Sequence, residues 1–106
     1  MVKRFEIYLV NLDTEVSRNA KNTRLCVVVS PDELNDHLST VIIAPVSSST
    51  QDSPTCVTAQ IINSERSIVI NQLRTVDTER LVKRIGYVDE PTQNTIVEVL
   101  QEMFAR

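Results

Sequence analysis

Two short apolar runs, residues 25–29 and 41–46, constrain this chain more than any other feature. Both are rich in β-branched residues, three Val in the first and two Val with two Ile in the second, both are bounded by polar segments, and neither is long enough for a buried helix. A run of this kind reads as a central strand covered on both faces, because β-branched side chains fit a pleated surface and a half-exposed strand would alternate instead. Alternation does occur elsewhere. Phe5, Ile7 and Leu9 interleave with Glu6, Tyr8 and Val10, which predicts a strand over 5–12, and Val57, Ala59 and Ile61 interleave with Thr58 and Gln60. A turn at Asn63-Ser64-Glu65-Arg66 then leads into a strand over 67–70, and Thr75-Val76 suggests one more short strand.

Helical signals are few. Ser30-Pro31-Asp32-Glu33 combines a Ser N-cap, Pro at the first position and a Glu that completes a capping box, predicting a short helix through Leu38. Asp77 is placed to cap a single turn through Leu81. At the C-terminus Ile96, Val99, Leu100, Met103 and Phe104 recur at helical spacing after Asp89 and Pro91, so an amphipathic helix should pack one stripe on the sheet or on a partner. Residues 13–23 lose all periodicity, as do 47–55, and long polar loops in a chain of 106 residues commonly carry function.

Composition excludes several functions. With 42% hydrophobic and 24% charged residues the chain should fold as one domain over 1–106. No apolar stretch is long enough to span a bilayer, and Glu6 and Asn11 interrupt the N-terminus too early for a signal peptide, so the expectation is a cytoplasmic protein without membrane association. Cys26 and Cys56 lack metal-ligand spacing and read as free thiols, with no metal and no cofactor expected. Gly86 is the only glycine, which removes any Gly-rich phosphate loop, and His37 is the only histidine, read as a surface residue.

The net charge of −3 argues against a general nucleic-acid coat, but its distribution is uneven. Arg18, Lys21 and Arg24 cluster in a segment without acids and could form a local anion site. Arg24 directly precedes the run 25–29 and Ser47 directly follows 41–46. If those strands are antiparallel neighbours, Arg24 and Ser47 share one rim. A guanidinium and a hydroxyl so placed suit phosphodiester chemistry, the first neutralising charge on phosphorane oxygens and the second donating to one of them. The same residues would equally serve as a surface ion pair and a serine-rich loop tip.

Four collinear blocks resemble the MazF/PemK family of toxin ribonucleases: Lys3-Arg4-Phe5-Glu6-Ile7-Tyr8 with Asn11-Leu12-Asp13; Lys21-Asn22-Thr23-Arg24-Leu25 on to Asn35; Thr40 to Ser48 through Ala44-Pro45-Val46-Ser47; and Asn71-Gln72-Leu73-Arg74-Thr75-Val76-Asp77 with Arg80-Leu81 and Lys83 to Gly86. The resemblance implies a mainly β, SH3-like, partly closed barrel with short helices and a C-terminal helix. It further implies a homodimer whose loops form a groove for single-stranded RNA, metal-independent sequence-specific cleavage of mRNA that inhibits translation, and a cognate antitoxin. Arg24 matches the family's catalytic Arg and Ser47 its catalytic Thr. Arg18, Lys21, Thr23, Ser48 and Gln72 would then contact RNA. Departures cluster near the site: Phe5 stands at the family's usual Gly, Leu25 at its Pro, and Thr14, Ser17, Asn19 and Asn22 replace its Pro, Gly, acid and Gly. A non-catalytic relative acting by binding, or a gyrase-directed toxin of the same fold, are the alternatives the text leaves open.

Overall fold

The computed structural model describes residues 1–12 and 22–106. Seven strands form one curled antiparallel sheet: β1 Glu6–Asn11, β2 Thr23–Val28, β3 Thr40–Ser47, β4 Cys56–Ile61, β5 Ser64–Val69, β6 Arg74–Asp77 and β7 Leu81–Tyr87. Two helices, α1 Asp32–Asn35 and α2 Glu90–Phe104, and two 3-10 turns, Ile70–Gln72 and Thr78–Arg80, complete the described chain. The sheet runs β4-β5-β3-β2-β1-β7, and β6 pairs with the first half of β3 while β5 pairs with its end. Because β3 changes partners along its length, the sheet bends there into a partly closed barrel.

That bend explains why the two apolar runs carry no alternation. Val27 on the second strand and Val29 just beyond its end, with Ala44 and Val46 on the third, enter a core that also holds Val57, Ile61, Ile68 and Ile96. Their alternate neighbours Cys26, Val28, Val41 and Ile43 enter a second core with Val10 and Val76. Each fully buried aliphatic side chain contributes about 1.5–3 kcal/mol. Strand β4 feeds one face only, so its buried and exposed positions alternate, as its sequence predicts.

Helix α2 begins where expected, with Asp89 at the N-cap accepting a hydrogen bond from the Thr92 N–H at 3.0 Å. Hydrogen bonding from Thr92, by its side chain first and then by its backbone N–H, holds the Asp89 carboxyl below its ordinary value. Ile96 is buried, and Val99, Leu100 and Met103 pack against the core, whereas Phe104 is 70% exposed. The run 41–46 is covered within the chain itself, as a central strand should be: Val41, Ile43, Ala44 and Val46 are buried.

Three sequence expectations need correction, and one strand has no sequence signal at all. Ser30 does not cap α1; Pro31 holds the cap position without a side-chain bond, and the helix ends at Asn35. The Ser30 hydroxyl instead donates to Asn35 Oδ1 at 2.6 Å and accepts from the Ile42 N–H at 3.0 Å, tying the loop to β3. Asp77 precedes a 3-10 turn but its side chain makes no capping bond. The β4–β5 turn lies at Ile62-Asn63, whose φ values of 52° and 57° match a two-residue type I′ hairpin, so Arg66 belongs to the strand and Ile70 to a 3-10 turn. Strand β7 has no apolar alternation because it is an edge strand with Val82, Lys83 and Arg84 exposed.

Candidate functional site

The register of β2 against β3 pairs Cys26 with Pro45, Val27 with Ala44 and Val28 with Ile43. Extended by two residues, the same register sets Arg24 opposite Ser47. Both residues line a cavity of about 360 Å³ at the open end of the barrel, together with Leu9, Thr23, Leu25, Val46, Ser48 and Arg66. The juxtaposition expected from sequence, a guanidinium and a hydroxyl on one rim, is therefore present.

The cleft is built from two kinds of group. Leu9 and Leu25 are direct partners across β1 and β2, and with Val46 they continue the core outward to form an apolar floor. Thr23, Arg24, Ser47, Ser48 and Arg66 supply the polar rim, and no carboxylate lines it among the described residues. The Ser47 hydroxyl accepts from the Ser49 N–H at 3.3 Å and from Gln51 Nε2 at 3.4 Å, and lies 3.2 Å from Ser49 Oγ. If Ser49 Oγ donates that last bond, the Ser47 hydrogen is the group left to point into the cleft. The loop carrying these residues is anchored from below, where the Gln51 N–H donates to the fully buried Ser67 Oγ at 2.9 Å.

Of the residues expected to contact RNA, Thr23 and Ser48 line the cavity. Gln72 does not; it sits exposed in the 3-10 turn Ile70–Gln72, which packs on β3, β4 and α2. Arg18 and Lys21 lie outside the described residues, as do Thr14, Ser17 and Asn19. Arg66 was missed, since the sequence placed it in a turn; only the hairpin register brings it to the cleft. His37 is exposed, as expected. Behind the cleft, burial pushes the Cys26 thiol up to about 11, against the lowering pull of Arg24 and Arg74. A thiol so held is a poor nucleophile at neutral pH.

One departure from the family pattern has a conformational counterpart. Phe5 adopts φ 72°, the left-handed region that a glycine occupies without strain. Its backbone is pinned there on both sides, the N–H donating to the Val28 carbonyl at 2.7 Å and the carbonyl accepting from Val88 N–H at 3.0 Å.

The chain matches, over residues 3–104, the family described as PemK-like, MazF-like toxin of type II toxin-antitoxin system. It is 30% identical over 107 residues to Endoribonuclease EndoA of Bacillus subtilis (strain 168), an alignment spanning 95% of this chain and 92% of that protein. In three dimensions it resembles an endoribonuclease in complex with its cognate antitoxin from Mycobacterial species, with a TM-score of 0.82, 18% identity and coverage of 96% and 93% of the two chains. MazF (Form-I) from Deinococcus radiodurans superposes with a TM-score of 0.79 at 15% identity, covering 99% and 97%. These structural likenesses establish the fold: a mainly β, curled half-barrel with a C-terminal helix.

Proposed function

Because the chain belongs to the PemK-like, MazF-like toxin family of type II toxin-antitoxin systems, we propose that it is a metal-independent endoribonuclease that cuts single-stranded mRNA, with Arg24 and Ser47 carrying the chemistry. The observation that supports this most is their meeting on one rim of an open cleft whose polar groups are guanidinium and hydroxyl donors. Such donors suit a phosphate whose charge grows during reaction.

In this reading the RNA supplies its own nucleophile. The 2′-oxygen attacks the adjacent phosphorus and the bond to the 5′-oxygen breaks, leaving a 2′,3′-cyclic phosphate and a free 5′-hydroxyl. One proton leaves the 2′-oxygen and one arrives on the departing 5′-oxygen. Arg24 neutralises the charge that builds on the non-bridging oxygens, and the Ser47 hydroxyl donates to one of them. Thr23 and Ser48 flank the pair and would hold the neighbouring backbone. Cleavage of mRNA in the cytoplasm would inhibit translation, and a cognate antitoxin would neutralise the chain by covering the Arg24 cleft. A homodimer is part of the proposal, with the exposed Val82, Tyr87 and Phe104 as the apolar area available for burial.

The test is an RNA carrying 2′-deoxy or 2′-O-methyl at the scissile nucleotide. It should resist cutting while the unmodified RNA is cleaved in EDTA to a cyclic phosphate. Cutting of the modified RNA at the ordinary rate, or activity lost in EDTA and restored by magnesium, would show that a metal-bound water is the nucleophile instead.

A further inference from the structure

We propose that Arg66 is a second, substrate-positioning guanidinium of the cleft, holding an RNA phosphate next to the scissile one while a base rests on the apolar floor. The inference rests on the ribonuclease reading of the cleft and adds a residue that Arg24 and Ser47 do not account for.

Arg66 stands opposite Ala59 in the β4–β5 register, and its neighbour Ser67 stands opposite Ser47 at the end of β3. Ala59 is buried, so the face that Arg66 shares with it is the barrel interior. A small residue opposite leaves room for a long aliphatic stem to run over the core and emerge at the open end, where it lines the same cavity as Arg24. The side chain is aimed by a hydrogen bond from Nε to the Ile61 carbonyl at 2.9 Å. That carbonyl belongs to the last residue of β4, immediately before the type I′ turn. The tight turn holds the acceptor in place.

What this bond leaves over is the informative part. Nε is used, while among the described residues neither Nη group donates to a protein acceptor and no carboxylate lies within 4 Å. A half-buried guanidinium oriented through Nε presents both Nη groups as a ready fork for a phosphate. The floor of Leu9, Leu25 and Val46 lies in the same cavity, and a nucleobase has one flat apolar face to offer it. An RNA backbone brings both parts at once, a phosphate at the fork and a base beside it.

The experiment compares Arg66→Gln and Arg66→Lys with the parent. Binding is followed by fluorescence anisotropy of a labelled single-stranded RNA made uncleavable by 2′-O-methyl groups, across a salt series, with cleavage kinetics on the unmodified RNA alongside. For Arg66→Gln the Kd should rise about tenfold at low salt and the slope of log K against log salt should flatten by about 0.7, the value for one phosphate contact on a single strand. KM should rise in step, with kcat falling less than about threefold. Arg66→Lys keeps the charge but loses both the Nε bond and the Nη fork, and should restore the full salt slope while recovering only part of the affinity. Unchanged Kd and slope in a folded Arg66→Gln, or a salt slope in Arg66→Lys as flat as in Arg66→Gln, would overturn the proposal. So would an Arg66→Gln that binds RNA normally but loses affinity for an acidic peptide, which would assign the fork to a protein partner. If the parent chain itself fails to bind RNA, the ribonuclease reading falls. If it binds without cutting, Arg66 is still decided by the anisotropy series.

Discussion

The two sides of the sheet use arginine in opposite ways. Near the N-terminus each guanidinium meets a ring or a carboxylate: Arg4 lies 5.0 Å from the centre of the Phe5 ring, besides donating through Nε to the Val29 carbonyl at 2.9 Å, while Arg84 pairs with the buried Glu6 at 3.1 Å. Glu6 also accepts from the Lys3 N–H and the Tyr8 hydroxyl, and the Arg4 N–H donates to Asp32. At the cleft, Arg24 and Arg66 share a cavity that no described carboxylate enters. Charge satisfied inside the chain holds the fold together; charge left over is available to a ligand. The first arrangement should fail as stability and the second as activity.

Removing the open charge gives the largest expected effect. Arg24→Ala should lower the cleavage rate by about 10²-fold or more, by analogy with loss of one oxyanion donor, with an unchanged melting temperature. Ser47→Ala should cost less, and Ser47→Thr should retain or raise activity. A melting temperature that falls with Arg24→Ala would place this residue among the structural arginines and dissolve the contrast.

Cys26 lies behind the cleft and tests how dry its rear wall is. Burial pushes its thiol up to about 11 from an ordinary 9.0, so above pH 9 the unfolded chain binds fewer protons than the folded one. This group's contribution is fully present below pH 9, declines between 9 and 11, and is lost above that window. The decline should reach about 2–3 kcal/mol. Denaturant midpoints at pH 8 and pH 11, compared with the same pair in Cys26→Ala, isolate it. Equal drops in both proteins would mean that water reaches the sulfur.

On the satisfied side, Glu6→Ala leaves the Lys3 N–H and the Tyr8 hydroxyl without their acceptor. Urea unfolding should register a loss of about 1–3 kcal/mol, with RNA cleavage below the transition intact. Tyr8 offers an internal check, since burial first and then the charge and hydrogen bond of Glu6 push its phenol up. In Glu6→Ala the spectroscopic titration of Tyr8 should move down.

The smallest effect concerns Phe5. Phe5→Ala and Phe5→Gly both lose the ring and its contact with Arg4, and they differ only at a backbone held at φ 72°. Gly should therefore be the more stable of the two by about 1 kcal/mol, the reverse of its usual rank. Ala equal to or better than Gly in calorimetry would mean that the left-handed conformation relaxes once the ring is gone.

Much of this was legible in residues alone, wherever the deciding interaction is local. Helix α2 is announced by its stripe and by Asp89, because a helix buries one face at a fixed period and caps itself within one turn. Strands β2, β3 and β4 are announced by β-branched runs and alternation, which report how many faces are covered. Arg24 and Ser47 could be paired because each adjoins a recognisable strand, so that only antiparallel adjacency had to be supplied. The tertiary structure alone decided the rest, where the partner is distant in sequence. Ser30 abandons its cap for Asn35 and Ile42 because closing the loop onto β3 satisfies buried groups that a local bond would leave unpaired. Strand β7 is held by pairing with β1 despite a pattern of exposed charges, and Gln72 is carried away from the cleft by a turn with no clear sequence signal. Arg66 reaches the cleft only through the register of a hairpin turned by Ile62 and Asn63, neither of them the glycine that would have marked it.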